Sequence, residues 1–321
     1  MTAPRYVSFA GHGEVSIAAP GVFTDSLATA FVVRSNPENT QALVDKLLNA
    51  APAGAVRYTV AGPVALCTFL SVGRCTSPTE PFGWIPYREA SLWLPLIEHR
   101  PGQWPRLVLW MPYVFPDATI PLVCGREGWG FAKSLGRITL PEEGAEAPRF
   151  VCETTLFRTL SSDCEGVFAP LLTVEGGPWT PGSAWKSLED LAADLGDALK
   201  ALLRPGGLVE GVEVAVKAVE SLLAGTVPVI NLKQFRDAPD SELACYQALI
   251  DCPMHVDRFR GAWPMRGDWT LRVADCASHQ VISDFGFAAG PDGSATVHVD
   301  FAMQIHMDFR ANPGRVVWQA E

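Results

Sequence analysis

Lys133 is one of six lysines in a chain of 321 residues, and it stands in the stretch GREGWGFAKSLG, residues 125 to 136. Three glycines (Gly125, Gly128 and Gly130) and two large aromatics (Trp129 and Phe131) lead into it. In water near pH 7 only about one lysine in two thousand is neutral and nucleophilic. Burial among apolar rings destabilises an ammonium and enlarges that fraction. A neutral lysine adds to a carbonyl, loses water and leaves an imine, an electron sink for breaking the neighbouring bond. The residues alone leave a second reading open, in which the stem of Lys133 snorkels over Trp129 at a sheet edge.

Other chemistries fit less well. The glycine spacing is neither GxGxxG nor GxxxxGK[ST], and there is no GxSxG elbow. His298, Asp300, His306 and Asp308 alternate along one stretch, but their spacing matches no metal signature. The eight cysteines include no CxxC pair, so they read as buried thiols of a reducing cytoplasm. Neither a metal nor a cofactor is expected.

The elements around the motif read mainly as strands. Phe31–Arg34 is an apolar strand ending at SNPENT, and a helix capped by Asn36 follows, with Leu43, Leu47 and Leu48 on one face. VRYTV and ALCTFLSV flank a Gly-Pro turn, and the tail of PTEPFGWIPYREASLWLPLIE alternates in strand fashion. The apolar runs RLVLWMPYVF and ATIPLVCG lead into the motif; RITL and RFVCETTLFRTL follow it. Leu188, Leu191, Leu195, Leu199 and Leu202 then keep helical spacing, and a second helix is expected within residues 212 to 225. Strands resume at VPVINLKQF, and HVDFAMQIHMDF alternates cleanly between apolar and polar residues. The pattern is all-β or β-rich α+β, with a helical insertion over 179–225.

Composition narrows the class. With 48% hydrophobic residues the chain has ample material for a core, and 26 prolines with 28 glycines suit many short elements joined by turns. A formal net charge of -10 without a basic cluster disfavours nucleic acid and anionic membrane as partners. No apolar run reaches membrane-spanning length, and the N-terminus lacks the pattern of a signal peptide. A cytoplasmic protein is expected.

GREGWGFAKSLG resembles the active-site segment of the acetoacetate decarboxylase family, GRE-x-x-G-[FY]-P-K-K-L-G, whose first lysine, the Schiff-base residue, falls on Lys133. YREASLWLPL (87–96) resembles the family stretch that carries a catalytic glutamate, which falls on Glu89. NLKQFRDAPDSELACYQAL (231–249) is similar to a strand and turn of longer relatives. This sequence departs from the pattern at Ala132, at Ser134 in place of the second lysine, and at Ser26, where the family has an arginine.

The resemblance implies a single domain over 1–321, a β-cone or double barrel around a central cavity, and a homo-oligomer. It also implies an imine-forming lyase acting on a small keto acid or ketone. Decarboxylation and aldol or dehydration chemistry both use such an imine, and the loss of the second lysine weakens the case for decarboxylation. Lys133 and Glu89 would be catalytic. Arg126 would hold a carboxylate or pair with Glu127 to brace the loop. Trp129 and Phe131 would keep the pocket dry or pack the core, and Tyr246 and Gln247 would add polar groups to the cavity. The alternative is a non-catalytic protein of the same fold that binds a small keto or apolar ligand.

Overall fold

Period-two alternation of apolar and polar side chains builds long strands, and here their two faces serve different ends. In the computed structural model, residues 5–8, 11–12, 16–50, 54–80, 82–142, 144–177, 180–181, 184–187, 189–191 and 224–320 are described. The first half runs β1 (Gly21–Arg34), α1 (Pro37–Leu47), β2 (Arg57–Val60), β3 (Val64–Thr76), β4 (Ile85–His99) and β5 (Arg106–Pro116). Next come α2 (Thr119–Cys124), a π-helical turn (Gly125–Trp129), β6 (Gly136–Thr139), β7 (Arg149–Leu156), β8 (Val167–Gly176) and β9 (Thr180–Pro181). The remainder is β10 (Thr226–Val227), β11 (Ile230–Arg236), β12 (Ala244–Asp251), β13 (Met254–Arg266), β14 (Trp269–Val273), α3 (Val281–Phe285), β15 (Ala295–Ala311) and β16 (Arg315–Gln319).

Thirteen strands form one large sheet, ordered β2-β4-β3-β1-β15-β14-β8-β7-β6, with β5 beside β4 and β13 beside β15. The named strands pair antiparallel, and among the described residues the path stays open, so the expected double barrel is not closed. A second sheet, β11-β12-β16, has three strands. The helical insertion expected over 179–225 falls mostly outside the described residues.

On β4, Ala90, Leu92, Leu94 and Leu96 enter the main core with Phe31, Phe69, Phe150 and Trp269. The opposite face of the same strand is turned to the cavity described below. Helix α1 begins as expected, with the Asn36 side chain accepting from the backbone N–H groups of Glu38 and Asn39, a cap worth about 1 kcal/mol. ATIPLVCG, by contrast, continues as helix: Thr119–Cys124 forms α2, where Pro121 sits in the first turn and sacrifices no intrahelical bond.

A partly buried ion cluster, with Glu98 and Asp251 buried, joins the two sheets. Arg106 on β5 donates to Glu98 on β4 (2.6 Å) and to Asp251 on β12 (2.8 Å), and Arg315 on β16 donates to Asp251 (2.9 Å). Burial opposes ionisation of Glu98, but the bonds from Arg106 and Arg100 overcome it and hold the carboxyl below its ordinary range. The small sheet is thereby fixed against β4 and β5, the strands that carry the site.

Candidate functional site

Tyr87, Glu89, Ser91 and Trp93 are successive side chains on one face of β4, and all four line a single cavity of about 170 Å³. Thr68 and Leu70 on β3, Phe23 on β1, Met254 and Val256 on β13, and Met307 and Phe309 on β15 supply further walls. Register explains the arrangement: Glu89 lies opposite Leu70 on one side and Pro116 on the other, at the end of β5 where the chain turns into α2.

Lys133 returns along β5 by a parallel bridge to Val114, and the Ser134 N–H donates to the Val114 carbonyl at 2.9 Å. This aims Lys133 into the cavity, where its Nζ donates to Glu89 Oε2 at 2.6 Å. Both side chains are buried, 8% and 10% exposed. Lys133 Nζ also lies 5.4 Å from the centre of the Phe131 ring. Desolvating two charges is expensive even when they pair, so a buried ion pair facing an apolar cavity is better explained by chemistry than by stability.

The glycines acquire reasons. A Cβ at Gly125 would lie 2.5 Å from Lys133 Cε, so the hydrogen there makes room for the lysine stem. Gly130 adopts φ +78°, and a Cβ there would lie 2.7 Å from Lys233 Cα on β11. The small sheet thus packs under the motif loop. Lys233 Nζ donates to the Gly128 carbonyl at 3.4 Å, and its burial draws the ammonium below the usual lysine value.

Trp129 and Phe131 line the cavity, the Trp129 indole anchored on the Asn312 carbonyl at 2.8 Å. Arg126 and Glu127 are exposed and outside the lining. Arg126 Nη1 donates to the Lys133 carbonyl at 3.0 Å, a brace of the loop made with the backbone rather than with Glu127. Tyr246 and Gln247 sit elsewhere, on β12 of the small sheet: Tyr246 packs on Phe235, and Gln247 donates to Gln234. The alternating acids of β15 are engaged in ion pairs, Asp300 with Arg34 and Asp308 with Arg260, while His306 meets Asp25 at 2.8 Å. No cluster suited to a metal is found among the described residues.

Sequence reasoning does not single out Tyr87, Ser91 or Trp93, although each lies two or four residues from Glu89 and alternation alone puts them on its face. The Trp93 indole N–H is shared between Thr68 Oγ1 and Ser91 Oγ, each at 2.9 Å, and those hydroxyls meet at 2.7 Å. Burial, then the Glu89 charge, pushes the Tyr87 hydroxyl well above its ordinary value, so it stays protonated.

Two thiols also line the cavity. Burial pushes Cys75 up to about 12 and Cys124 up to about 11, which keeps both in the unreactive thiol form and leaves Lys133 as the candidate nucleophile. Iodoacetamide at pH 8 should therefore modify Cys164, whose thiol is lowered by hydrogen bonding to the Thr159 backbone, well before Cys75 or Cys124. Peptide mapping that found the cavity thiols alkylated first would reopen cysteine chemistry.

Known proteins share this fold. Residues 7–155, which include both Glu89 and Lys133, match the family model for acetoacetate decarboxylase (ADC). No curated protein matches by sequence. Among solved structures, acetoacetate decarboxylase from Legionella pneumophila aligns with TM-score 0.61 at 18% identity, covering 99% of this chain and 93% of that one. An acetoacetate decarboxylase-like enzyme from Sphingomonas wittichii gives 0.59 at 14%, covering 98% and 99%. The enduracididine biosynthesis enzyme MppR, complexed with pyruvate, gives 0.53 at 16%, covering 99% of each chain. No described helix is long and apolar enough to cross a membrane. The chain thus resembles the acetoacetate decarboxylase family model over the segments that carry Glu89 and Lys133, and it shares the fold of acetoacetate decarboxylase and related enzymes along nearly its whole length.

Proposed function

We propose that this protein is a lyase that forms a Schiff base between Lys133 and a small keto acid or ketone. The observation that carries the reading is the buried Lys133–Glu89 pair, 2.6 Å apart and facing an apolar cavity. Within that pair the ammonium hands a proton to the Glu89 carboxylate, and the neutral amine adds to the substrate carbonyl carbon. Glu89, now a carboxylic acid, returns the proton to the departing hydroxyl as water leaves. The iminium then draws electrons from an adjacent C–H or C–C bond, and the Glu89 carboxylate is placed to receive a released proton.

Aldol or dehydration chemistry suits this site better than decarboxylation. Ser134 supplies no charge beside Lys133, and its backbone is held on Val114. A neighbour of the same fold, MppR, has been solved with pyruvate, which supports a carbonyl ligand here. The same reading places the protein in the cytoplasm, in keeping with eight cysteines that are all thiols, and expects copies of the chain to assemble.

Borohydride trapping tests the proposal. The protein is incubated with a panel of ketones and keto acids, reduced, and mapped by peptide mass. A single reduced adduct on Lys133 is expected. Label spread evenly over the six lysines would refute imine catalysis and favour the non-catalytic cavity protein.

A further inference from the structure

We propose that the cavity selects an uncharged, apolar ketone or aldehyde over a keto acid, an inference that rests on Lys133 and Glu89 forming the reactive end of the site. Among the described lining residues only Lys133 and Glu89 carry charge, and each neutralises the other. The rest of the wall is mostly hydrocarbon and thioether: Ile17, Leu70, Ile120, Val227, Met254 and Met307 among them. A carboxylate entering this space would add an uncompensated charge in a poorly polarisable environment, which costs far more than it would in water. It would also face the Glu89 carboxylate.

No described basic side chain near the motif is in position to relieve that cost. Arg88 is on the opposite face of β4 and donates to the Ile138 carbonyl at 3.3 Å. Arg126 is engaged by the Lys133 carbonyl, and Lys233 by the Gly128 carbonyl. None of the three lines the cavity. What remains for a ligand is neutral. Tyr87 presents a hydroxyl-bearing ring, and the Thr68–Ser91 pair uses one hydroxyl proton between its members and leaves the other to donate. Ser91 lies two residues beyond Glu89, about 7 Å along β4, where it could meet a second uncharged oxygen.

Charge balance favours the same class. A neutral ketone and the Lys133 ammonium give an iminium and one molecule of water. The carbon–oxygen double bond breaks as a carbon–nitrogen double bond forms, and the oxygen leaves with two of the three ammonium hydrogens. The positive charge stays on nitrogen, so the site keeps one cation beside one carboxylate throughout. A keto acid would leave the cavity one negative charge in excess at every stage. Size sets a further limit. A dry apolar cavity of roughly 150 Å³ accommodates benzene, so about 170 Å³ suits a ligand of similar or slightly greater bulk.

Near-isosteric pairs isolate the charge: 2-pentanone against acetoacetate, and 2-hexanone against 4-oxopentanoate. Each is titrated in two ways, by borohydride-fixed adduct on Lys133 and, without reductant, by the rise in melting temperature. The ketones should reach half-saturation at concentrations at least tenfold lower than their acid partners in both readouts. Keto acids that saturate as readily as the ketones would overturn the substrate class while leaving the imine reading intact if Lys133 is labelled. Ketones that raise the melting temperature preferentially, yet leave no adduct, would uphold the class and refute the imine. No response to any of the four compounds would overturn both.

Discussion

Lys133→Met is expected to abolish the borohydride-fixed adduct and to lower turnover of any carbonyl substrate by about 10³-fold or more, since both the nucleophile and one end of the proton relay are lost. Methionine keeps the apolar stem that occupies the space above Gly125, so packing changes little. Electrostatics change more. Glu89, buried, would lose the only described cation that pairs with it. Breaking a buried pair from one side costs about 3–5 kcal/mol where the remaining group stays charged. Lys133→Met combined with Glu89→Gln removes both charges and should recover most of that loss. Glu89→Gln alone keeps the nucleophile, so slow labelling of Lys133 should persist while turnover falls by about 10²-fold. Melting curves and adduct mapping on the three variants separate the roles. A persisting active-site adduct in Lys133→Met would assign the chemistry to another residue. A double variant no more stable than Lys133→Met would show that charge is not what couples the pair.

The parts of the site legible in the sequence are those with local signatures. Lys133 stands out because glycines and aromatics surround it, and Glu89 because its segment resembles a family stretch and alternates as a strand. The long strands are legible too: β4 and β15 alternate, and the Asn36 cap announces α1. The distant walls are not. Phe23, Thr68, Met254 and Met307 meet only because β1 pairs with both β3 and β15, and β15 with β13. Nothing in the spacing of these residues states that register. Tyr246 and Gln247 are expected in the cavity because their segment resembles one in relatives, yet β12 lies in the small sheet, whose edge-to-edge pairing with β11 and β16 no single-chain periodicity reveals. ATIPLVCG is apolar enough for a strand, and tertiary context decides for helix: α2 and the π-helical turn must reverse the chain so that Lys133 comes back alongside Val114. The spacing of the β15 acids likewise does not name their partners, which lie across the sheet: Arg34 on β1 for Asp300 and Arg260 on β13 for Asp308.

Gly125→Ala should leave the protein folded and cost about 10²-fold in turnover, and the reason lies in which atoms the new methyl would meet. Gly125 has φ -62° and ψ -42°, an ordinary right-handed helical conformation, where alanine is favoured over glycine by up to about 1 kcal/mol. The backbone therefore offers no objection. The methyl carbon would fall 2.5 Å from Lys133 Cε, 2.7 Å from Cδ and 3.1 Å from Nζ. These are the outer atoms of a flexible side chain, so the lysine yields while the fold stands. Yielding moves Nζ away from Glu89, and a displacement of about 1 Å from productive geometry is worth roughly 10²-fold in rate. Gly130→Ala makes the informative contrast. Its φ of +78° disfavours any side chain, and its Cβ would strike the backbone of Lys233 at 2.7 Å, so that variant should lose stability first and activity as a consequence. Measured together, Gly125→Ala should show an unchanged or raised melting temperature, slowed adduct formation and low turnover per folded molecule. Wild-type turnover in Gly125→Ala would mean that the lysine stem repacks without displacing its amine, and that the 2.6 Å contact with Glu89 does not set the rate.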